Sequence, residues 1–518
     1  MNLQSGLRRE DSFNKRYLYK VTANIISLAL NLVTQSIIPR GLGPKAYGDF
    51  NYLSNFFNQV IGFFDMGTSI CFYTKLSLRP KQSSLVSFYL YYSAMAFPLI
   101  IMLVSISNVF HLNHILWPNQ NVGIIYLVAL WAFMTFVIQV LGSMVDAYGL
   151  TLSGERARIL QRCLATGLII LIYICHQLNL TNFIFYHYII MLFIAAVYIW
   201  IIRRHGFEIN LRLYFVIQHF REHLKDFYNY SLPLFVAAIL GLITSIFDRW
   251  VLQFFYGSVE QGFYGLSYQI SSICILLTVA MVPLLTREMT IAFGQKDLTE
   301  MARLFRRHIP TLYSIAAFIS CFIVFQAEKV INIMGGAQFH GALLATTFMA
   351  LYPMHQTYGQ LNASIFYATG ETTTYRNISI IITLVGIPLT YLLVAPKNLM
   401  GLQAGATGLA LKMVLVNIFG VNLQLYFNAR LLGLRFWRYV GHQFLSAGCL
   451  LALSFLAKWG VDHLPALHGR VLPSFFLAGI CYTLLAALVT GFFPALIGVS
   501  RQDMRSFFQV AKRKCGFA

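Results

Sequence analysis

Charge is scarce in this 518-residue chain. Asp, Glu, Lys and Arg make up 11% of it, less than half of the roughly 25% in an average soluble domain. Acidic residues are scarcest, 18 against 38 Lys and Arg. The eight cysteines lie mostly inside apolar segments, form no CxxC pair and show no metal-ligand spacing, so they read as small core residues and not as a disulfide framework or a zinc module. There is no P-loop, no GxSxG, no Rossmann glycine pattern and no haem ligand pair. Nothing supports hydrolysis, nucleotide use or redox chemistry. The chain is therefore expected not to be an enzyme and to use no cofactor and no metal.

What the chain has is apolar surface. Hydrophobic residues make up 58% and aromatics 15%, with 44 Phe and 29 Tyr, and the mean hydropathy is +0.65. So few charges cannot cover that much apolar area in water, which predicts a polytopic membrane protein. Apolar runs long enough to cross a hydrocarbon core of about 30 Å as helices recur at 17–38, 50–72, 85–108, 122–146, 159–177, 181–202, 229–251, 262–285, 309–327, 341–366, 377–396, 404–428, 441–459 and 471–494. The expected fold is thus all-α, with about fourteen transmembrane helices.

The net charge of +20 would suggest nucleic acid in a soluble chain, but here the cations alternate with the spans. With the N-terminus inside, 30 of the 38 Lys and Arg fall in inside segments, as the positive-inside rule requires. Missing one helix would reverse the alternation, and no reversal occurs. The expectation is a multi-pass protein with both termini cytoplasmic, contacts to membrane lipids and no nucleic-acid partner. The first apolar run follows five basic residues without a small-residue cleavage site, so it reads as a retained anchor.

Residues 203–228 interrupt the spans with apolar Leu211, Phe215, Phe220, Leu224 and Phe227 against Arg212, Arg221, Glu222 and Lys225, the pattern of an amphipathic helix on the cytoplasmic interface. An internal repeat supports a division there. Aligning Tyr47–Gly48 with Tyr264–Gly265 gives an offset of 217 residues. The expected organisation is an N-terminal lobe over 1–202 and the connector over 203–228. A C-terminal lobe over 229–428 follows, then two added helices over 429–494 and a basic tail over 495–518. Repeats packed around a central site are common in secondary transporters, and an offset of six spans makes these repeats parallel.

Polar groups recur on one face of span one (Asn24, Ser27, Asn31, Thr34) and of span two (Asn51, Asn55, Asn58, Asp65, Ser69). Such faces meet either a partner helix or a wet cavity. Charges within spans are Asp65, Lys412, and the Asp248–Arg249 pair near the outer end of span seven, with Asp146 at the inner end of span four. Asp65 reads as an ion-coupling group, or as an acid paired with Lys412 or a backbone donor. Lys412 reads as a partner for an anionic substrate group. Asp248–Arg249 reads as a helix staple, a gate or a site for a diphosphate. His219 and His223 do not match HExxH. His355 shares a face of span ten with Gly359 and Asn362, beside Gln356 and Gln360. Pro98, Pro283, Pro353 and Pro388 fall inside spans, where each should kink its helix.

The opening segment Pro39-Arg40-Gly41-Leu42-Gly43-Pro44, then Tyr47-Gly48-Asp49-Phe50 and Asp65-Met66-Gly67, resembles the Wzx-type O-antigen and polysaccharide flippases of the multidrug/oligosaccharidyl-lipid/polysaccharide exporter superfamily. Asp248-Arg249 with Gly262-Phe263-Tyr264-Gly265 looks like that family's second half-start. The recognisable motifs cover about residues 15–80 and 228–290. The resemblance implies two six-helix lobes around a central cavity plus two extra C-terminal helices, opening alternately to either side. It implies translocation of undecaprenyl-diphosphate-linked oligosaccharide across the bacterial inner membrane, for O-antigen, capsule or exopolysaccharide synthesis. It further implies that the pathway's polymerase and chain-length regulator are partners. Arg249, Lys412, Arg40, Asn31 and Asn58 would then line the substrate site, and Asp65 and Asp248 would bind a coupling cation. The arginine-rich opening motif of the peptidoglycan-precursor flippases is not found, and drug/cation antiporters usually stop at twelve spans. Two alternatives are a multidrug-type antiporter and a membrane glycan polymerase or ligase. The second usually needs a sizeable outer loop, and the outer loops here are short.

Overall fold

The computed structural model describes residues 13–80, 82–207, 213–279, 281–467 and 469–498. Among them there is no strand. The α-helices in chain order are α1 (Phe13–Asp65), α2 (Thr68–Leu78), α3 (Ser83–Val109), α4 (Asn113–Leu116), α5 (Val122–Ala147), α6 (Thr151–Ile174), α7 (Leu180–Arg204) and α8 (Leu213–Val279). They continue with α9 (Val282–Gly294), α10 (Leu298–Met334), α11 (Leu343–Met349), α12 (Tyr352–Thr369), α13 (Thr372–Val394), α14 (Gly405–Leu431), α15 (Phe436–Asp462) and α16 (Val471–Phe492). The protein is an all-helical membrane protein. The basic tail after 498 and the start before 13 lie outside the described residues.

Ten described stretches are long and apolar enough to cross a membrane by length and composition, against the fourteen runs read from the sequence. Spans seven and eight are one stretch, Ile239–Ile275. Spans one and two share α1, and span ten is divided between α11 and α12, and neither is among the ten. The expected loop before span two is instead a kink at Gly43, with φ 74° and ψ 168°. A matching kink in α8 lies at Gly257, φ 73° and ψ −163°. Only glycine adopts such a conformation cheaply, and Pro44 follows directly, at a helix start where its missing N–H costs nothing. Pro283 and Pro353 also sit at helix starts, in α9 and α12, so they begin helices where a kink was expected. Pro98 and Pro388 do lie inside α3 and α13.

The chain forms two compact units, one ending at Gly262 and the other beginning at Phe263. The first has a core of aromatic and β-branched side chains, with Leu53, Phe57, Phe72, Tyr89, Trp117 and Ile125 fully buried. The start of α8 belongs to it. Phe227 is buried and stacks on Tyr89 at 5.5 Å, and His223 approaches Ser84 at 3.4 Å. The second unit packs α10 against α12, α15 and α16, with Phe305, Tyr313, Cys321, Tyr358 and Tyr482 buried. Leu171, Leu192, Phe444, Phe476, Leu484 and Leu488 are exposed. In water such faces would be liabilities, and in lipid they are the expected outer surface of a membrane helix.

Candidate functional site

The two kinks bring α1 and α8 together. A Cβ on Gly48 would lie 1.7 Å from the Ser258 carbonyl oxygen, and one on Gly262 would lie 2.1 Å from the Pro44 oxygen. Gly43 and Gly257 are 214 residues apart, and so are Gly48 and Gly262. The structural repeat is therefore G-x4-G with an offset of 214, and the 217-residue alignment on the Tyr–Gly pairs is out of register by three. Both second glycines are required because two helix backbones touch there.

Polar side chains surround this crossing. The Ser258 hydroxyl donates to the Asp49 carboxylate, as does Gln120 Nε2 at 2.7 Å. Gln253 Nε2 donates to the Pro118 oxygen at 3.0 Å and to Ser258 Oγ at 3.2 Å. Arg249 donates from Nη1 to Gln261 Oε1 at 3.2 Å, and Gln261 returns a bond to the Arg249 oxygen. Asp248 beside it is buried. The predicted Arg249 is thus paired with Gln261, while Asp49, Gln120, Gln253 and Ser258 form a separate hydrogen-bonded group at the crossing; the polar-stripe reading had singled out none of these partners. The twin G-x4-G spacing was the signal available for it.

Asp65 lies 16 residues beyond Asp49 on the same helix, about 24 Å at 1.5 Å per residue. Its carboxylate accepts from the Ser69 amide (2.8 Å), Ser69 Oγ (2.7 Å), Thr68 Oγ1 (3.0 Å) and Tyr89 Oη (3.4 Å). This carboxylate caps the first turn of α2, where it satisfies one orphan amide and a negative charge is favoured at a helix N-terminus. The backbone-donor alternative weighed for Asp65 is the one the geometry displays. Tyr89 stacks on Phe72 at 4.2 Å and on Phe227, so the cap rests on the aromatic core.

The other candidates are dispersed. Asn31 is half-buried, with its carbonyl accepting from Thr34 Oγ1 at 3.0 Å, while Arg40 and Asn58 are exposed. Lys412, in the second unit, is 2% exposed, and its Nζ lies 3.7 Å from where a Gly386 Cβ would be. That places it between α14 and α13. His355 is buried on α12, with its ring 5.9 Å from that of Tyr313. No metal-holding group of His, Cys, Asp or Glu occurs among the described residues. One ion cluster that the sequence had marked only by Asp146 joins three helices. Arg158 bonds Asp146 (2.9 Å), Glu155 (2.6 Å) and Tyr198 Oη (3.1 Å).

Two kinked helices, a second unit that starts inside α8 and buried charges within spans define a polytopic all-helical membrane fold. The profile of the polysaccharide biosynthesis protein family matches residues 14–287, more than half of the chain, and the chain belongs to that family. A search of curated proteins finds no match. Among solved structures the chain is similar to the lipid II flippase MurJ in an inward closed conformation. That likeness has a TM-score of 0.66 at 14% identity, over 92% of this chain and 99% of that one. It is also similar to an inward-facing multidrug resistance MATE family transporter of the MOP superfamily (TM-score 0.57, 16% identity, 80% and 98% covered). A MOP superfamily transporter from Pyrococcus furiosus gives TM-score 0.52 at 17% identity, with 82% and 97% covered. At these identities the likeness is one of fold.

Proposed function

We propose that this protein translocates undecaprenyl-diphosphate-linked oligosaccharide units across the bacterial inner membrane by alternating access, driven by an ion gradient. The observation that carries this reading is the family match over residues 14–287, on a chain whose fold accounts for 99% of a lipid flippase. The absence from the sequence of any nucleotide-binding or hydrolytic motif agrees with transport by a gradient.

In this reading the isoprenoid tail stays in lipid while the sugar crosses a polar path. Arg249, Lys412 and Arg40 attract the anionic head, with Asn31 and Asn58 beside the path, and Asp65 and Asp248 are the candidate cation sites. Both termini face the cytoplasm, and the polymerase and chain-length regulator of the same pathway receive the product. Arg249 is suited to its role because its guanidinium is oriented by Gln261 at 3.2 Å and has the planar fork geometry that matches a phosphate. Lys412 is suited because a buried ammonium gains strongly from an anion.

The test is lipid extraction from cells lacking the protein, with mass analysis of undecaprenyl-linked sugars and assignment of the leaflet that holds them. A complete repeat unit accumulating on the cytoplasmic leaflet is the expected result. Accumulation on the outer leaflet would indicate a polymerase or ligase instead. An unchanged lipid pool would sink the flippase reading and favour a drug antiporter.

A further inference from the structure

One face of the second unit carries an unusual combination of aromatic rings and uncharged amides. On α12, Tyr352, Gln356 and Gln360 recur every four residues and so form one stripe. Beside Tyr352 on α8 stand Tyr264 and Tyr268, with ring centroids 6.4 Å apart, and Tyr268 lies 6.4 Å from Tyr352. From α14, Asn417 Nδ2 reaches the Tyr352 oxygen and Gln356 Oε1, both at 3.5 Å. Gly359 permits this approach, since a Cβ there would stand 3.0 Å from Val421 Cγ2 and 4.0 Å from Asn417 Oδ1.

The amides of the stripe are loosely engaged. Contacts of 3.5 Å are at the long limit of a hydrogen bond, and Gln360 Oε1 is buried with no partner. Tyr268 is 41% exposed. The shorter α14–α12 bond lies further along the pair, where Asn428 Nδ2 donates to the Asn362 oxygen at 3.1 Å and both residues are fully buried. Polar groups at membrane depth face a protein interior or a wet cavity and not lipid. An isoprenoid chain would gain nothing from three amides, and an anion would need a cation, which this stripe lacks. The nearby Lys412 is five residues before Asn417, on the side of α14 that meets α13.

A pyranose presents an apolar C–H face and a rim of hydroxyls that each donate and accept. A tyrosine ring complements the face, and a carboxamide, with an acceptor oxygen and two donors, complements the rim. We infer that Tyr268, Tyr352, Gln356, Gln360 and Asn417 form a binding surface for a neutral sugar ring, the part of the cargo that this unit selects. The inference rests on the flippase reading for its cargo, but its chemistry is testable apart from it.

The experiment uses the full chain in detergent micelles and saturation-transfer NMR with maltotriose as the neutral probe and trigalacturonate as the acidic one. Maltotriose is expected to bind in preference to trigalacturonate. Its affinity should fall at least tenfold in Gln360→Met and in Tyr268→Leu, and hold in Leu384→Ala on the exposed face of α13. Gln356→Met replaces either variant if that one does not elute as the wild type does. No maltotriose signal, unchanged affinity in the variants, or a preference for trigalacturonate would each overturn the surface. If cells lacking the protein show no lipid-linked build-up while the variants still lose maltotriose, the flippase reading falls and the surface stands. If the lipid accumulates and the variants bind normally, the reverse holds.

Discussion

Gly48 and Gly262 face the backbone of each other's helix in reciprocal fashion: the first meets Ser258, the second meets Pro44, and each lies five residues after its kink glycine. The repeated half-starts of the sequence are thus in direct contact with one another. The Asp49–Ser258 bond between residues 209 apart then secures the crossing.

Alanine at Gly48 or Gly262 must displace backbone, and overpacking of this kind costs about 1–3 kcal/mol. Gly62 on the same helix has open space where a Cβ would stand, with nothing within 4 Å. Gly62→Ala is therefore expected to be neutral or to stabilise by about 0.5–1 kcal/mol, the usual cost of glycine in a helix interior. Thermal unfolding in detergent would rank the three variants. Equal melting temperatures would refute the crossing.

At Asp65 two roles separate by substitution. Asparagine also caps helices well, so Asp65→Asn is expected to fold at a normal level while abolishing export if the charge couples ion movement. Asp65→Ala should lower the amount of folded protein, because four donors lose their acceptor. Export that survives Asp65→Asn undiminished would leave Asp65 a cap alone.

The Arg158 cluster makes a different prediction. Removing the guanidinium takes from Asp146 and Glu155 the cation that bonds them both, and Glu155 is 6% exposed. The guanidinium and Asp146 are half-buried, so the loss falls between the exposed and the fully buried case, about 1–3 kcal/mol. Arg158→Ala should therefore melt markedly earlier than wild type. The triple variant that also carries Asp146→Asn and Glu155→Gln should recover part of the loss. No recovery would show that Arg158 acts through packing on Tyr198 instead.

At the start of α10, Asp297 accepts from the Thr299 hydroxyl and from the Glu300 amide at 2.9 Å. These bonds, the hydroxyl first, hold its carboxyl below the usual value. A depressed carboxylate contributes stability that is present above its unfolded pKa of about 3.9 and lost as pH falls through the lower folded value. The protection factor of the first-turn amides of α10, the slowing of exchange relative to an unstructured peptide at the same pH, is expected to fall below about pH 4 in the wild type. In Asp297→Ala the protection factor should be low at every pH, and a wild-type protection factor that does not change with pH would contradict the cap.

Much of this protein was written in its composition. The helical fold and the membrane setting follow from scarce charge and long apolar runs, because lipid demands that every backbone group be satisfied within its own segment. Charge in spans marked Asp65, Arg249 and Lys412, because such charges are costly. What those residues touch was not legible, since contacts such as Asp49 with Ser258 join residues far apart in the chain. Helix continuity was not legible either. An apolar run shows that a segment can cross lipid, but a single glycine at φ 74° decides between a loop and a kink. The register of the repeat was set by the approach of two backbones at Gly48 and Gly262, which left no periodic side-chain pattern. Only the packed structure decided these points, because sterics between distant segments, and not local preference, chose among conformations that the sequence left nearly equal.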